Sequence, residues 1–167
     1  MKVIRIIIAA ALFLLVIPLG LLYIGRSLDP YLFPSSTLQS IHLFGVPILF
    51  AGLLLAVISI WQLYSFGSGM PWGDVAEDSQ SSRLVTKGLY AYTRNPMFLG
   101  YGIFMLGLGL YCGSFASAFI MSMLFVTFVS IWVKTIEEPK LVKRFGQEYI
   151  KYKEETPFMI PRISRKH

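Results

Sequence analysis

The chain has 167 residues, of which 55% are hydrophobic and 14% charged, with a formal net charge of +6. A soluble domain carries about 25% charged residues, so this composition excludes an ordinary soluble globule and points to an all-α, polytopic membrane protein with apolar runs of about 20 residues. One cysteine, Cys112, excludes an internal disulfide and a Cys-rich metal site; the two histidines, His42 and His167, lie too far apart for an obvious metal cluster, and no metal is expected.

The first apolar run, Val3 to Gly25, carries one early charge, Arg5. It is longer than a signal-peptide core and has no clear small-residue cleavage pattern after it, so it reads as a retained span (3–25), bent near Pro18. The second (43–66) contains Pro47 in its first turn, where proline is tolerated. A polar loop follows, in which Asp74, Glu77 and Asp78 read as solvated groups. Asn95 and Pro96 then mark a helix start, with asparagine as the cap and proline in the first turn.

The run Met97 to Val133 is 37 residues without a charge, about 55 Å as one helix and too long for one crossing. Splitting it at Cys112-Gly113-Ser114 gives spans 97–112 and 114–133, with Gly113 ending one helix and Ser114 capping the next. Beyond it, Glu137 and Glu138 precede Pro139, expected to break or restart the helix. Leu141, Phe145, Tyr149 and Tyr152 recur at helical spacing, predicting an amphipathic surface helix with Lys140, Lys143, Arg144 and Lys151 outward. Gly146 interrupts it at about 1 kcal/mol relative to alanine. The organisation expected is one membrane domain (1–167): an N-terminal helical pair (1–66), a loop (67–96), a hairpin (97–133) and a C-terminal segment (134–167).

Of the 15 Lys and Arg residues, only Arg26 falls on the side opposite the termini in a four-span arrangement. The positive-inside rule then places both termini and the central loop in the cytoplasm. Topology thus accounts for the basic surplus, and no nucleic-acid partner is expected. No Asp, Glu, Lys or His occupies the middle of a span, where ion-coupled transporters usually carry one. Chemistry is therefore expected at the cytoplasmic face, in 65–98 and 134–162. The helix start at Asn95-Pro96 can hold a carboxylate with its free N–H groups. Tyr90, Tyr92 and Phe98 offer aromatic faces to a cation such as a sulfonium; the plainer reading is a capped helix with interfacial tyrosines and a snorkelling Arg94. Glu137 and Glu138 read either as a solvated pair or as inward groups holding a cation or ribose hydroxyls.

The sequence LVTKGLYAYTRNPMFLG, an apolar hairpin, and then EEPKLVKRFGQEYIKYKEETPFMIPR together resemble the C-terminal half of the isoprenylcysteine carboxyl methyltransferase and phospholipid methyltransferase group, over residues 82–162. The resemblance implies a membrane enzyme that uses S-adenosylmethionine, held at the cytoplasmic ends of the last two spans. It implies cofactor contacts at Arg83, Leu84, Val85, Tyr90, Asn95, Pro96, Met97, Phe98 and Glu137. Candidate catalytic residues are Glu138, Tyr92 and Lys134. The acceptor would be a lipidic or prenylated molecule arriving from the lipid bilayer. Asn95 stands where the family has histidine, Phe98 where it has tyrosine, and Val133, followed by Lys134, where prenyl-cysteine enzymes have arginine. Two alternatives stay open: an NADPH-dependent membrane reductase of the steroid-reductase type, and a small transporter or assembly subunit.

Overall fold

A computed structural model describes residues 12–33, 42–67 and 83–161. The beginning of the first run with Arg5, the loop acids Asp74, Glu77 and Asp78, and Arg162 to His167 lie outside the described residues. All regular structure among the described residues is helical.

Helix α1 (Ile17–Leu32) follows a wide π-turn, Leu12–Val16. The wide turn comes just before Pro18, which has no N–H to donate and whose ring would crowd the carbonyl four residues back. The helix does not end at Gly25 as the apolar run suggests. It continues through Arg26 and Asp29 to Leu32, because contacts with a later helix hold it. Gly25 abuts Ser117, the Ser117 hydroxyl donates to the Leu22 carbonyl at 3.1 Å, and the Ala116 N–H donates to Asp29 Oδ1 at 2.8 Å.

Helix α2 (His42–Gly67) differs from the expected span 43–66 by one residue at each end, and Pro47 lies inside it. Helix α3 (Pro96–Tyr111) is 16 residues long. The two helices touch backbone to backbone through paired glycines. Gly45 and Gly52 of α2 face Tyr111, Gly107, Phe104 and Gly100; Gly100 and Gly107 of α3 face Ala56, Gly52, Leu49 and Gly45. Such small-residue faces allow the close van der Waals packing by which helices associate in lipid.

The hairpin forms where the sequence marks it. Gly113 takes φ +69°, a left-handed conformation open to glycine. The Ser114 hydroxyl oxygen accepts from the Ser117 N–H at 3.1 Å, a side-chain N-cap. From there one helix runs over Ala116–Phe145, 30 residues. It comprises the π-turn Ala116–Met121, α4 (Ser122–Trp132), a second wide turn Val133–Glu137, and α5 (Glu138–Phe145). Pro139 therefore does not break the helix: as at Pro18, the turn before it widens and makes room for the ring. The break comes instead at Gly146, with φ +56° and ψ −131°, after which α6 (Gln147–Glu155) leaves at a corner.

The core lies between α3 and the long helix: Tyr101 and Met105 against Phe125, Val129 and Val133, with the Tyr101 and Phe125 rings 4.8 Å apart. Two helices, His42–Gly67 and Ala116–Phe145, are long and apolar enough to cross a bilayer; Pro96–Tyr111 is shorter. The structure thus supports the all-helical class and, among the described residues, two such helices. The outer face of α2 exposes Leu43, Phe44, Phe50, Leu54 and Trp61. A soluble core helix would bury that face, so it fits a chain set in lipid.

Gly100→Ala is expected to lower stability in detergent, by about 1–3 kcal/mol, the usual cost of overpacking. The added Cβ would lie 2.6 Å from the Ala56 nitrogen. Gly20→Ala, where a Cβ meets nothing within 4 Å, should be neutral or slightly stabilising. Thermal unfolding of both variants checks the pair.

Candidate functional site

The segment before α3 is built by docking onto the end of α2. A short 3-10 turn, Gly88–Ala91, is fixed by the Leu89 N–H donating to Gln62 Oε1 at 2.8 Å. The Tyr90 hydroxyl reaches the Ser59 carbonyl, and the Tyr152 hydroxyl donates to the Tyr90 carbonyl at 2.7 Å. This brings α2, the turn and α6 together at one end of the bundle.

Arg94 leaves this turn and enters the protein instead of snorkelling outward. Its Nη1 pairs with Glu138 Oε1 at 2.5 Å, and the two side chains are only 9% and 4% exposed. The second Glu138 oxygen pairs with Lys153 Nζ of α6 at 2.5 Å. Both oxygens of Glu138 are thus engaged, so its surroundings support a positioning role rather than proton transfer. Arg94 is the residue that sequence reasoning undervalued. Its place between two tyrosines and an Asn-Pro helix start was the available signal, and the bland reading of a surface arginine absorbed it.

Next to this pair lies a cavity of about 100 Å³, lined by Leu63, Arg83, Leu84, Val85, Tyr90, Arg94, Asn95, Val133, Leu141, Phe145, Tyr149 and Tyr152. Five of the nine expected cofactor contacts are on its wall: Arg83, Leu84, Val85, Tyr90 and Asn95. The other four are not. Pro96 and Met97 are buried in the first turn of α3, Phe98 packs on the core, and Glu137 is half-buried beside the cavity, close enough to Tyr90 and Tyr149 to act on their hydroxyls. Tyr92 is exposed, and Lys134 is exposed with its ammonium 4.7 Å from the Phe158 ring centre. Sequence reasoning gave Tyr149 and Tyr152 only a membrane-surface role; both are buried, and both line the cavity.

Asn95 occupies the N-cap position, but its side chain does not cap α3. Its Nδ2 instead donates to the Phe158 carbonyl at 2.9 Å. The carbonyl brought in by the C-terminal segment accepts the amide N–H and so holds the side chain in an orientation other than that of a cap.

The hydroxyls on the wall resist ionisation. Burial raises Tyr149 from the ordinary 10.0 to about 12, with Glu138 and Glu137 adding to the shift and Arg94 opposing it. Burial is also the main cause at Tyr90, reinforced by Glu137, and at Tyr152, reinforced by the neighbouring tyrosines. Arg94 Nε is buried with no hydrogen-bond acceptor among the described residues, an arrangement that costs about 1–3 kcal/mol if left so. A guanidinium among aromatic rings at the cavity fits a ligand that carries both a carboxylate and a cationic centre. Whole-ligand pockets measure roughly 300–1,000 Å³, so this cavity has room for one end of such a ligand.

Residues 40–148 match the family model of phospholipid methyltransferases, a stretch that includes α2, α3, the hairpin and α5. The chain belongs to the phospholipid methyltransferase family. Over 80 residues, 48% of this chain and 34% of the relative, it is 40% identical to a protein-S-isoprenylcysteine O-methyltransferase of Schizosaccharomyces pombe. Over 123 residues, 68% of this chain and 41% of the relative, it is 28% identical to a protein-S-isoprenylcysteine O-methyltransferase of Rattus norvegicus. The matches thus span well under half the length of these relatives. No solved structure matches the chain. Family membership joins Arg94 and Glu138 within one matched region, whose cavity their pairing borders.

Glu138→Gln is expected to destabilise the protein by about 3–5 kcal/mol, the usual loss when one partner of a buried ion pair is removed. Lys153→Met should cost under about 1 kcal/mol, because Lys153 is 46% exposed and its charge is screened. Unfolding in detergent, followed by intrinsic fluorescence, checks both. The raised Tyr149 keeps its proton in the native state between pH 10.0 and about 12, while the unfolded chain has lost it. Its contribution to stability is therefore full below pH 10.0 and falls as pH rises through that window. A spectroscopic tyrosinate titration should show a late step near pH 12 that Tyr149→Phe removes.

Proposed function

We propose that the chain is an integral-membrane methyltransferase that moves a methyl group from S-adenosylmethionine to an amphiphilic acceptor. The observation that carries this reading is buried Arg94, which lines an aromatic cavity within the region matched to the family and whose Nε has no acceptor among the described residues. The chain crosses the membrane four times in this reading, with both termini and the site on the cytoplasmic side.

When bound, S-adenosylmethionine supplies an electrophilic methyl group on a sulfonium. Tyr90, Tyr149 and Tyr152 line the cavity with aromatic surface, and the Tyr90 and Tyr152 hydroxyls are held by the Ser59 and Tyr90 carbonyls, an arrangement that favours a cation without neutralising it. Arg94 Nε–H takes a carboxylate, its guanidinium held by Glu138. Arg83, Leu84, Val85 and Asn95 complete the wall; Pro96, Met97 and Phe98 fix the start of α3 behind it; Glu137 supplies negative charge near Tyr90. The protein's contribution is alignment and exclusion of water. Lys134 and Tyr92 stand at the exposed side, where an acceptor from the bilayer meets the site. The relatives' names point to an oxygen of an isoprenylated cysteine and the family's to a phospholipid; a carboxylate acceptor needs no general base, an amine must lose a proton.

Incubating the purified protein with radiolabelled S-adenosylmethionine and a total membrane lipid extract is expected to give a labelled lipid-soluble product. No label above a heat-killed control refutes the proposal. Glu137→Gln should lose cofactor binding by calorimetry while staying folded. Asn95→His should retain at least about a tenth of the activity, since an imidazole N–H can also donate to the Phe158 carbonyl.

A further inference from the structure

Three consecutive residues before α3 are tied to three consecutive residues after α6. The Arg94 N–H donates to the Pro157 carbonyl at 2.9 Å. The Thr93 hydroxyl reaches the Phe158 and Met159 carbonyls at 3.3 and 2.9 Å, and Asn95 Nδ2 donates to the Phe158 carbonyl at 2.9 Å. Thr93 and Met159 are buried, so these bonds are shielded from water. The Phe158 ring packs on the Tyr101–Val133 core, with the Arg94 guanidinium carbon 5.6 Å from its centre and the Lys134 ammonium at 4.7 Å.

Arg94 is therefore restrained by its own N–H, by Glu138 at Nη1, by Tyr149 beside the guanidinium, and by the Phe158 ring. The ion pair alone leaves the guanidinium free to swing about the bonded nitrogen. The ring adds a flat surface that a planar cation prefers to stack on, and so fixes the plane of the guanidinium and with it the direction of Nε–H. We propose that Phe158 is a positioning residue for the methyl-donor site: the Pro157–Met159 strap sets where Arg94 Nε stands, and Phe158 acts through Arg94. This rests on the functional reading above and adds a residue to the site from outside its cavity wall.

The test compares Phe158→Leu, which keeps apolar volume and removes the ring, with Phe158→Tyr, which keeps the ring. Two readouts are needed: S-adenosylmethionine affinity by calorimetry, and hydrogen exchange at the Arg94 amide in the absence of donor. Phe158→Leu is expected to weaken donor binding about three- to tenfold, the scale of a partly buried cation–π contact. It should also speed Arg94 amide exchange, with kcat at saturating donor within twofold of the parent; Phe158→Tyr should restore affinity and protection together. Unchanged affinity and protection in Phe158→Leu, or failure of Phe158→Tyr to restore them, overturns the proposal. If the parent protein binds no S-adenosylmethionine, the methyl-donor reading fails. The exchange readout still decides the strap: loss in Phe158→Leu and return in Phe158→Tyr uphold its hold on Arg94, and flat exchange removes it.

Discussion

A charge taken out of water must be matched, and the site is organised around one such match: Arg94 against Glu138, both nearly sealed from solvent. Desolvating two ions costs several kcal/mol each, and their attraction offsets this only when geometry and further contacts are good. The surroundings supply those contacts. Lys153 takes the second carboxylate oxygen, Tyr149 lies within reach of the guanidinium, and the Phe158 ring covers it. Glu138 belongs to the long helix, Arg94 to the loop before α3, and Lys153 to α6. One ion cluster thus fixes three separate parts of the chain, and the cavity lies where they meet.

That cluster can be so confined because the helices behind it leave little slack. The glycines of α2 and α3 let the two backbones meet directly, and the hairpin joins α3 to the long helix through a turn with its own cap. At the far end, Asp29 accepts the Ala116 N–H at the start of the long helix, so α1 locks the hairpin in place. The result is a closely packed bundle with the buried Arg94–Glu138 pair at the end opposite the hairpin.

Much of this was legible in the sequence wherever the cause was local. The hairpin turn followed from Gly113 and Ser114, and the bounds of α2 from its apolar run. Where the cause was distant, reading failed. Nothing near Gly25 shows that α1 continues to Leu32, because the stabilising partners are Ala116 and Ser117, far along the chain. Asn95 has the chemistry of a cap, yet a carbonyl 63 residues away takes its amide. Arg94 had an adequate explanation as a membrane-surface cation, which hid its buried partner. The acidic pair was recognised, but which member would be enclosed was not, and the reason is geometric.

Val133 and Glu138 are both buried, five positions apart. In an unbroken α-helix they would point about 140° from each other, and Glu137 would share the Val133 side instead. The wide turn over Val133–Glu137 spreads one more residue over the same revolution and swings Glu138 round to the interior. It works as a phase shifter in the winding: two neighbouring carboxylates of equal chemistry receive unequal surroundings, one enclosed between cations and the other left half-buried. Tightening that revolution by a single residue would exchange their places without altering either side chain.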